Sequence, residues 1–160
     1  MYIPFEQLPE ESRIWIYPAN RKLSEEEVTE IEQLLLHFVE QWSAHGTALE
    51  ASFKVVYQRF IVLAVNASAQ APTGCSIDAS VALIQQIEQQ FQIDLLDKMN
   101  VTFRQGEFIT HKTLLDFKRM VKEKSVGPNT IVFNNLVNTV EEWQSHWEVP
   151  AAESWHARFF

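Results

Sequence analysis

The chain contains a single cysteine, and it lies in the one segment whose residue types could do chemistry: Gly74-Cys75-Ser76-Ile77-Asp78, where a loop rich in Ala, Ser and Pro gives way to helical periodicity. The first turn of a helix leaves backbone N–H groups unpaired at the positive end of the dipole. Such a turn could hold an anion, with Gly74, Cys75, Ser76 and Asp78 as the binding residues, or activate Cys75 as a nucleophile or redox sensor. The bland reading is favoured over both. In it Cys75 is a small buried hydrophobe, Ser76 caps the helix, and Asp78 is a first-turn carboxylate that suits the dipole. A nucleophilic thiol needs a base. His37 or His45 could serve, but nothing in the sequence brings either near.

The remaining chemistry-bearing types exclude more than they suggest. One cysteine rules out Cys-based metal or redox pairs, and the histidines at 37, 45, 111, 146 and 156 include no i, i+4 pair, so neither a metal nor a cofactor is expected. The four glycines, at 46, 74, 106 and 127, form no phosphate cradle and none precedes a lysine; neither a P-loop nor a dinucleotide fingerprint can be placed. Glu25, Glu26 and Glu27 read as partners of a helix N-terminus. Residues 101–125 carry six basic against three acidic side chains. Arg104, Lys112, Lys118, Arg119, Lys122 and Lys124 lack interleaved exposed aromatics and read as a solvated face. With a net charge of −8, neither nucleic acid nor an anionic membrane is an expected partner. Trp143, Trp147, Trp155, Phe159 and Phe160 concentrate aromatic area near the end of the sequence. They either close the protein's own core or, through Trp143, Trp147, Trp155 and Phe159, anchor a partner or a homodimer.

Periodicity supplies the elements that must position these residues. Ser24 and Glu27 form a capping box, and Val28, Ile31, Leu35, Phe38, Val39 and Trp42 recur at helical spacing up to Gly46. Arg13–Tyr17 predicts a short strand before it. Leu49–Tyr57 alternates as a half-buried strand does, and Phe60–Val65 is continuously apolar, as a central strand is; the two are expected to pair through Gln58 and Arg59. A helix capped by Ser76 presents Ile77, Val81, Ile84, Ile87 and Phe91. Val101–Arg104 and Glu107–His111 flank a Gln105-Gly106 turn, and Thr113 with Asp116 opens a helix that Gly127-Pro128 ends. Thr130–Val137 suits either extended or helical structure, and Val140–Trp147 a short helix.

Up to residue 104 the order is β-α-β-β-α-β, that of a ferredoxin-like sandwich. The expectation is an α+β fold in a single domain over residues 1–160. Its core would span 13–104, and an extension over 105–160 would hold an added strand, a basic helix and the aromatic segment. No apolar run approaches the roughly 20 residues of a membrane span and no export signal is visible, so a cytoplasmic location is expected.

Pro4-Phe5-Glu6 with Leu8-Pro9-Glu10, Arg59-Phe60-Ile61-Val62-Leu63-Ala64-Val65-Asn66, Gly74-Cys75-Ser76-Ile77-Asp78, Asp94-Leu95-Leu96-Asp97-Lys98-Met99 and Asn129-Thr130-Ile131-Val132-Phe133-Asn134-Asn135-Leu136-Val137 resemble an uncharacterised family of short proteins from Bacteroidetes-type bacteria. Its members often carry the label "ABC transporter ATPase". That label implies a Walker lysine and a glycine-rich signature that this sequence does not contain, so ATPase chemistry is not expected. The family supplies no catalytic residues to carry over. The leading expectation is a non-enzymatic module that binds a protein or small molecule; the alternative is a Cys75-dependent enzyme or thiol sensor with an anion site near Ser76.

Overall fold

The Ser24 hydroxyl accepts the Glu27 N–H at 3.1 Å while the Glu27 carboxylate accepts the Ser24 N–H at 2.9 Å. This reciprocal cap satisfies donors that a helix start would otherwise leave open, and α1 (Glu25–Gln41) follows. Arg21 grips the same carboxylate with two hydrogen bonds of 2.9 and 2.8 Å and donates a third to the Phe91 carbonyl at 2.7 Å. The Arg21 bonds, with the Ser24 N–H behind them, hold the Glu27 pKa down to about 2. A carboxylate depressed on folding stabilises fully above its unfolded value near 4.5, and that stability is lost as pH falls through the folded value. With Arg21 42% exposed, solvent screening leaves about 0.5–1 kcal/mol. Glu27→Gln should lower stability at pH 7 by that amount and flatten the acid limb of the stability curve between pH 4.5 and 2, as read by urea unfolding.

The computed structural model describes residues 1–160 as two compact units, Met1–Leu96 with Asn138–Glu141 and Asp97–Val137 with Glu142–Phe160. In the first, β1 (Arg13–Pro18) precedes α1, and a small hairpin of β2 (Ser43–Ala44) and β3 (Thr47–Ala48) follows it. Then come β4 (Ala51–Val56), β5 (Phe60–Val65) and α2 (Gly74–Phe91). All six side chains of β5 are fully buried because it lies centrally in the antiparallel order β1-β5-β4. The turn into it is Tyr57–Arg59, with Tyr57 and Gln58 at positive φ, and it adds one residue before the expected Gln58 and Arg59. Ile31, Leu35 and Val39 of α1 and Ile84, Ile87 and Phe91 of α2 join Ile61, Leu63 and Val65 in one core.

Both outer strands of this sheet are bridged at their first residues, Ala51 by Tyr2 and Arg13 by Thr139. The Ala51 N–H donates to the Met1 carbonyl at 3.0 Å, and the Ile14 N–H donates to the Asn138 carbonyl at 3.0 Å. The expected ferredoxin-like sheet is therefore not the one formed. Residues 101–104 were to supply its fourth strand, but the edge of β1 is taken by Asn138–Val140, and 101–104 belong to the second unit.

There β6 (Asn100–Gln105) and β7 (Phe108–Thr113) turn through Gly106-Glu107, with Gly106 at φ +61° where a side chain would be strained. Pairing with the next strand in sequence is local and keeps β6 in this sheet. α3 (Leu114–Lys122) starts on Thr113, whose hydroxyl accepts the Asp116 N–H at 3.1 Å. β8 (Ile131–Phe133) resolves the ambiguous stretch as extended; α4 (Val140–His146) and β9 (Glu148–Pro150) follow, giving the antiparallel order β7-β6-β8-β9. Phe103 meets Phe117 of α3 edge-on at 5.3 Å, among Val101, Val132 and Val149.

Candidate functional site

Trp42, the C-cap of α1, is buried, and its indole N–H donates to the Ser76 carbonyl at 2.8 Å. That bond ties the end of α1 to the first turn of α2. Beside it a solvent-open groove of about 670 Å³ runs between the C-terminal half of α1 and the N-terminal half of α2. Leu34, Phe38, Trp42 and Leu83 supply its apolar surface; His37, Gln41, His45, Thr73, Cys75 and Gln86 supply polar groups. Ala79 and Ala82 also line it, and their small side chains leave room.

Local sequence explains each wall. Leu34, His37, Phe38 and Gln41 fall at i, i+3, i+4 and i+7 of α1, and Ser76, Ala79, Leu83 and Gln86 at matching spacing on α2. His45 arrives by the β2–β3 hairpin, whose two-residue turn His45-Gly46 has φ of +53° and +75°. This is the geometry that joins antiparallel strands tightly, and Gly46 takes the second left-handed position without strain. The helix ends at Gln41, short of the expected Gly46, and the hairpin brings His45 to the groove.

The segment around Cys75 differs from expectation in two ways. Thr73, not Ser76, caps α2: its hydroxyl accepts the Ser76 N–H at 3.1 Å, and Ser76 returns the bond by accepting the Thr73 N–H at 2.6 Å. A threonine with serine three residues on makes a reciprocal box and starts the helix at Gly74. Ser76 is consequently buried, and its hydroxyl also donates to the Thr73 carbonyl at 2.8 Å, which leaves it nothing for a ligand. Cys75, favoured as a buried hydrophobe, is exposed instead, because position N2 of the early-starting helix faces away from the sheet. Of the four expected binding residues, Cys75 and Ser76 line the groove, while Gly74 and Asp78 are exposed and lie outside its lining.

The other marked residues have structural settings. Trp147 is buried at 5.0 Å from Phe133, and its N–H donates to Asn135 at 2.9 Å; Trp143 lies 5.4 Å from it. Trp155 and Phe159 are half-buried and pack against the core of the second unit, with Phe159 edge-on to Phe117 at 5.7 Å. Arg104 is bound to Glu148 at 2.5 Å, and the lysines at 112, 118, 122 and 124 are exposed together with Arg119. Glu25 and Glu26 are exposed on the first turn of α1. No three His, Cys, Asp or Glu side chains gather as a metal set, and no helix is long and apolar enough to cross a membrane.

No family model, curated protein or solved structure matches the chain. Function has to be read from the groove itself.

Proposed function

We propose that the chain is a non-enzymatic module that binds a small molecule in the groove between α1 and α2. The observation that carries this is the groove's volume of about 670 Å³ together with its mixed lining. Ligand sites of this size bury an apolar body and orient it with a few polar groups. A ligand seated here would lay apolar surface on Leu34, Phe38 and Leu83 and direct a polar head toward His37, His45 and Cys75. We further read the first unit as a ferredoxin-like half lacking its fourth strand, place the protein in the cytoplasm, and take the chain as kin to the short family it resembles, without ATPase chemistry. A homodimer through the aromatic segment stays a subordinate proposal, since those rings serve their own core.

One observation favours a second reading, a thiol enzyme or sensor: Cys75 is exposed in the same groove as His37 and His45. Native maleimide labelling separates the two. For a binding module, Cys75 reacts at a rate within about tenfold of the unfolded chain, is unaffected by His37→Ala or His45→Ala, and is protected by small carboxylates that bind with micromolar affinity. Ala82→Trp fills the groove and should weaken such binding at least about tenfold. Labelling that slows sharply when either histidine is removed would transfer the assignment to thiol chemistry. Binding of every carboxylate undiminished by Ala82→Trp would remove the groove as the site.

A further inference from the structure

His156 lies in the 3-10 turn Trp155–Phe159 and is completely buried. Its backbone N–H and its Nδ1 both face the Ser154 hydroxyl, at 3.1 and 2.6 Å, while its Nε2 is buried with no partner. Trp155 stacks on the imidazole at 3.9 Å and Phe117 approaches edge-on at 6.3 Å. The Trp155 Nε1 is likewise buried and unpartnered. Whichever ring nitrogen carries the single proton of the neutral form, protonation places a full charge and an unsatisfied Nε2–H inside an aromatic cage.

The charged groups on the surrounding elements do not offset this. On its own segment stand Glu153 and Arg158, the guanidinium lying 5.8 Å from the Trp155 ring. On α3, Asp116 is 3.6 Å from Arg119, Lys118 sits 5.7 Å from the Phe159 ring, and Lys122 is exposed. On β6 and β9, Arg104 and Glu148 are engaged with each other. No carboxylate pairs with His156, and the cations nearby add to the cost of another. Stacking on Trp155 returns only part of what desolvation takes.

We propose that His156 is an acid-operated latch: neutral, it holds the Trp155–Phe159 turn on the core of the second unit, and on protonation it leaves the aromatic cage, taking the turn with it and uncovering Phe117. Burial pushes the His156 pKa down to about 4 from 6.5. The released imidazole takes up a proton more readily than the caged one. The closed state therefore has its full advantage above pH 6.5 and loses it as pH falls toward 4. The opening constant rises about tenfold per pH unit in this window and levels off at about 300-fold. The window lies above that of Glu27, so the latch opens before the cap of α1 weakens. What it exposes is the apolar face of Phe117, which Phe159 of the turn covers at 5.7 Å in the closed state.

Hydrogen exchange of the intact chain, corrected for intrinsic rate, reads the latch directly. Amides of residues 151–160 should open about fortyfold more readily at pH 4.5 than at pH 6.5, while those of α1 change little. His156→Phe and His156→Gln, neither of which titrates, should each give a flat profile. A wild-type profile that is flat over this range overturns the latch, as does a wild-type slope retained in His156→Gln. If neither variant folds, the wild-type profile decides alone.

Discussion

Phe117→Ala should cost the second unit about 3–5 kcal/mol, the range for truncating a fully buried phenylalanine. Phe117 has no exposed surface and sits where three elements meet: edge-on to Phe103 at 5.3 Å, to Phe159 at 5.7 Å and to His156 at 6.3 Å. The unit around it has only about sixty residues, a size at which a single core is marginal. A loss of that magnitude is comparable with its whole stability. The expected result is collapse of exchange protection in β6 and β8 with protection in β5 retained. Uniform loss across both sheets would mean that the units do not open separately, and a cost below 1 kcal/mol would mean that Phe117 is not the keystone of this core.

The second large effect belongs to the first unit. Leu35 lies fully buried on α1, between Ile31 and Val39 in the stripe that faces the core of the first unit. Leu35→Ala removes that side chain and leaves a cavity whose walls are a strand and a helix that cannot easily close on it, so the loss should be about 2–5 kcal/mol. Chemical denaturation followed at Trp15 and Trp42 measures it, since Trp42 packs against Phe38 at 5.0 Å beside the affected stripe. A midpoint indistinguishable from wild type would place Leu35 on the wrong face.

The features legible beforehand share one property: they are set by neighbours in sequence. The box at Ser24 and Glu27, the cap of Thr113 on Asp116 and the central, fully apolar β5 depend on spacings of a few residues, and periodicity reports such spacings. What was hidden depends on competition. Ser76 looked like a cap because serine suits that position, but Thr73, three residues earlier, makes the same bond and wins by letting Ser76 answer it. That shift decides the exposure of Cys75. β6 could have joined either sheet by its own pattern, and the choice fell to its hairpin with β7 and to the segment that already occupied β1. The groove was half visible, in Leu34, Phe38, Ala79 and Leu83 at helical spacing; its histidine at 45 was not, because the β2–β3 hairpin is too short to show alternation. His156 gave no signal in the sequence at all, since burial of a lone histidine leaves no periodic trace.

The strand-like contact of Asn138–Val140 with β1 has a consequence for how the protein is made. The chain completes residues 1–96, builds about forty residues of the other unit, and only then supplies the short piece that seals the Ile14 edge. On the ribosome the first unit must wait with that edge open, presenting unpaired backbone groups of the kind that recruit stray strands. Its last closure depends on residues that emerge more than a hundred positions after those they cover. No single cut in the sequence yields both units whole: severing the chain at residue 96 leaves one without its seal, and a fragment that begins at 97 carries another unit's missing piece in its middle.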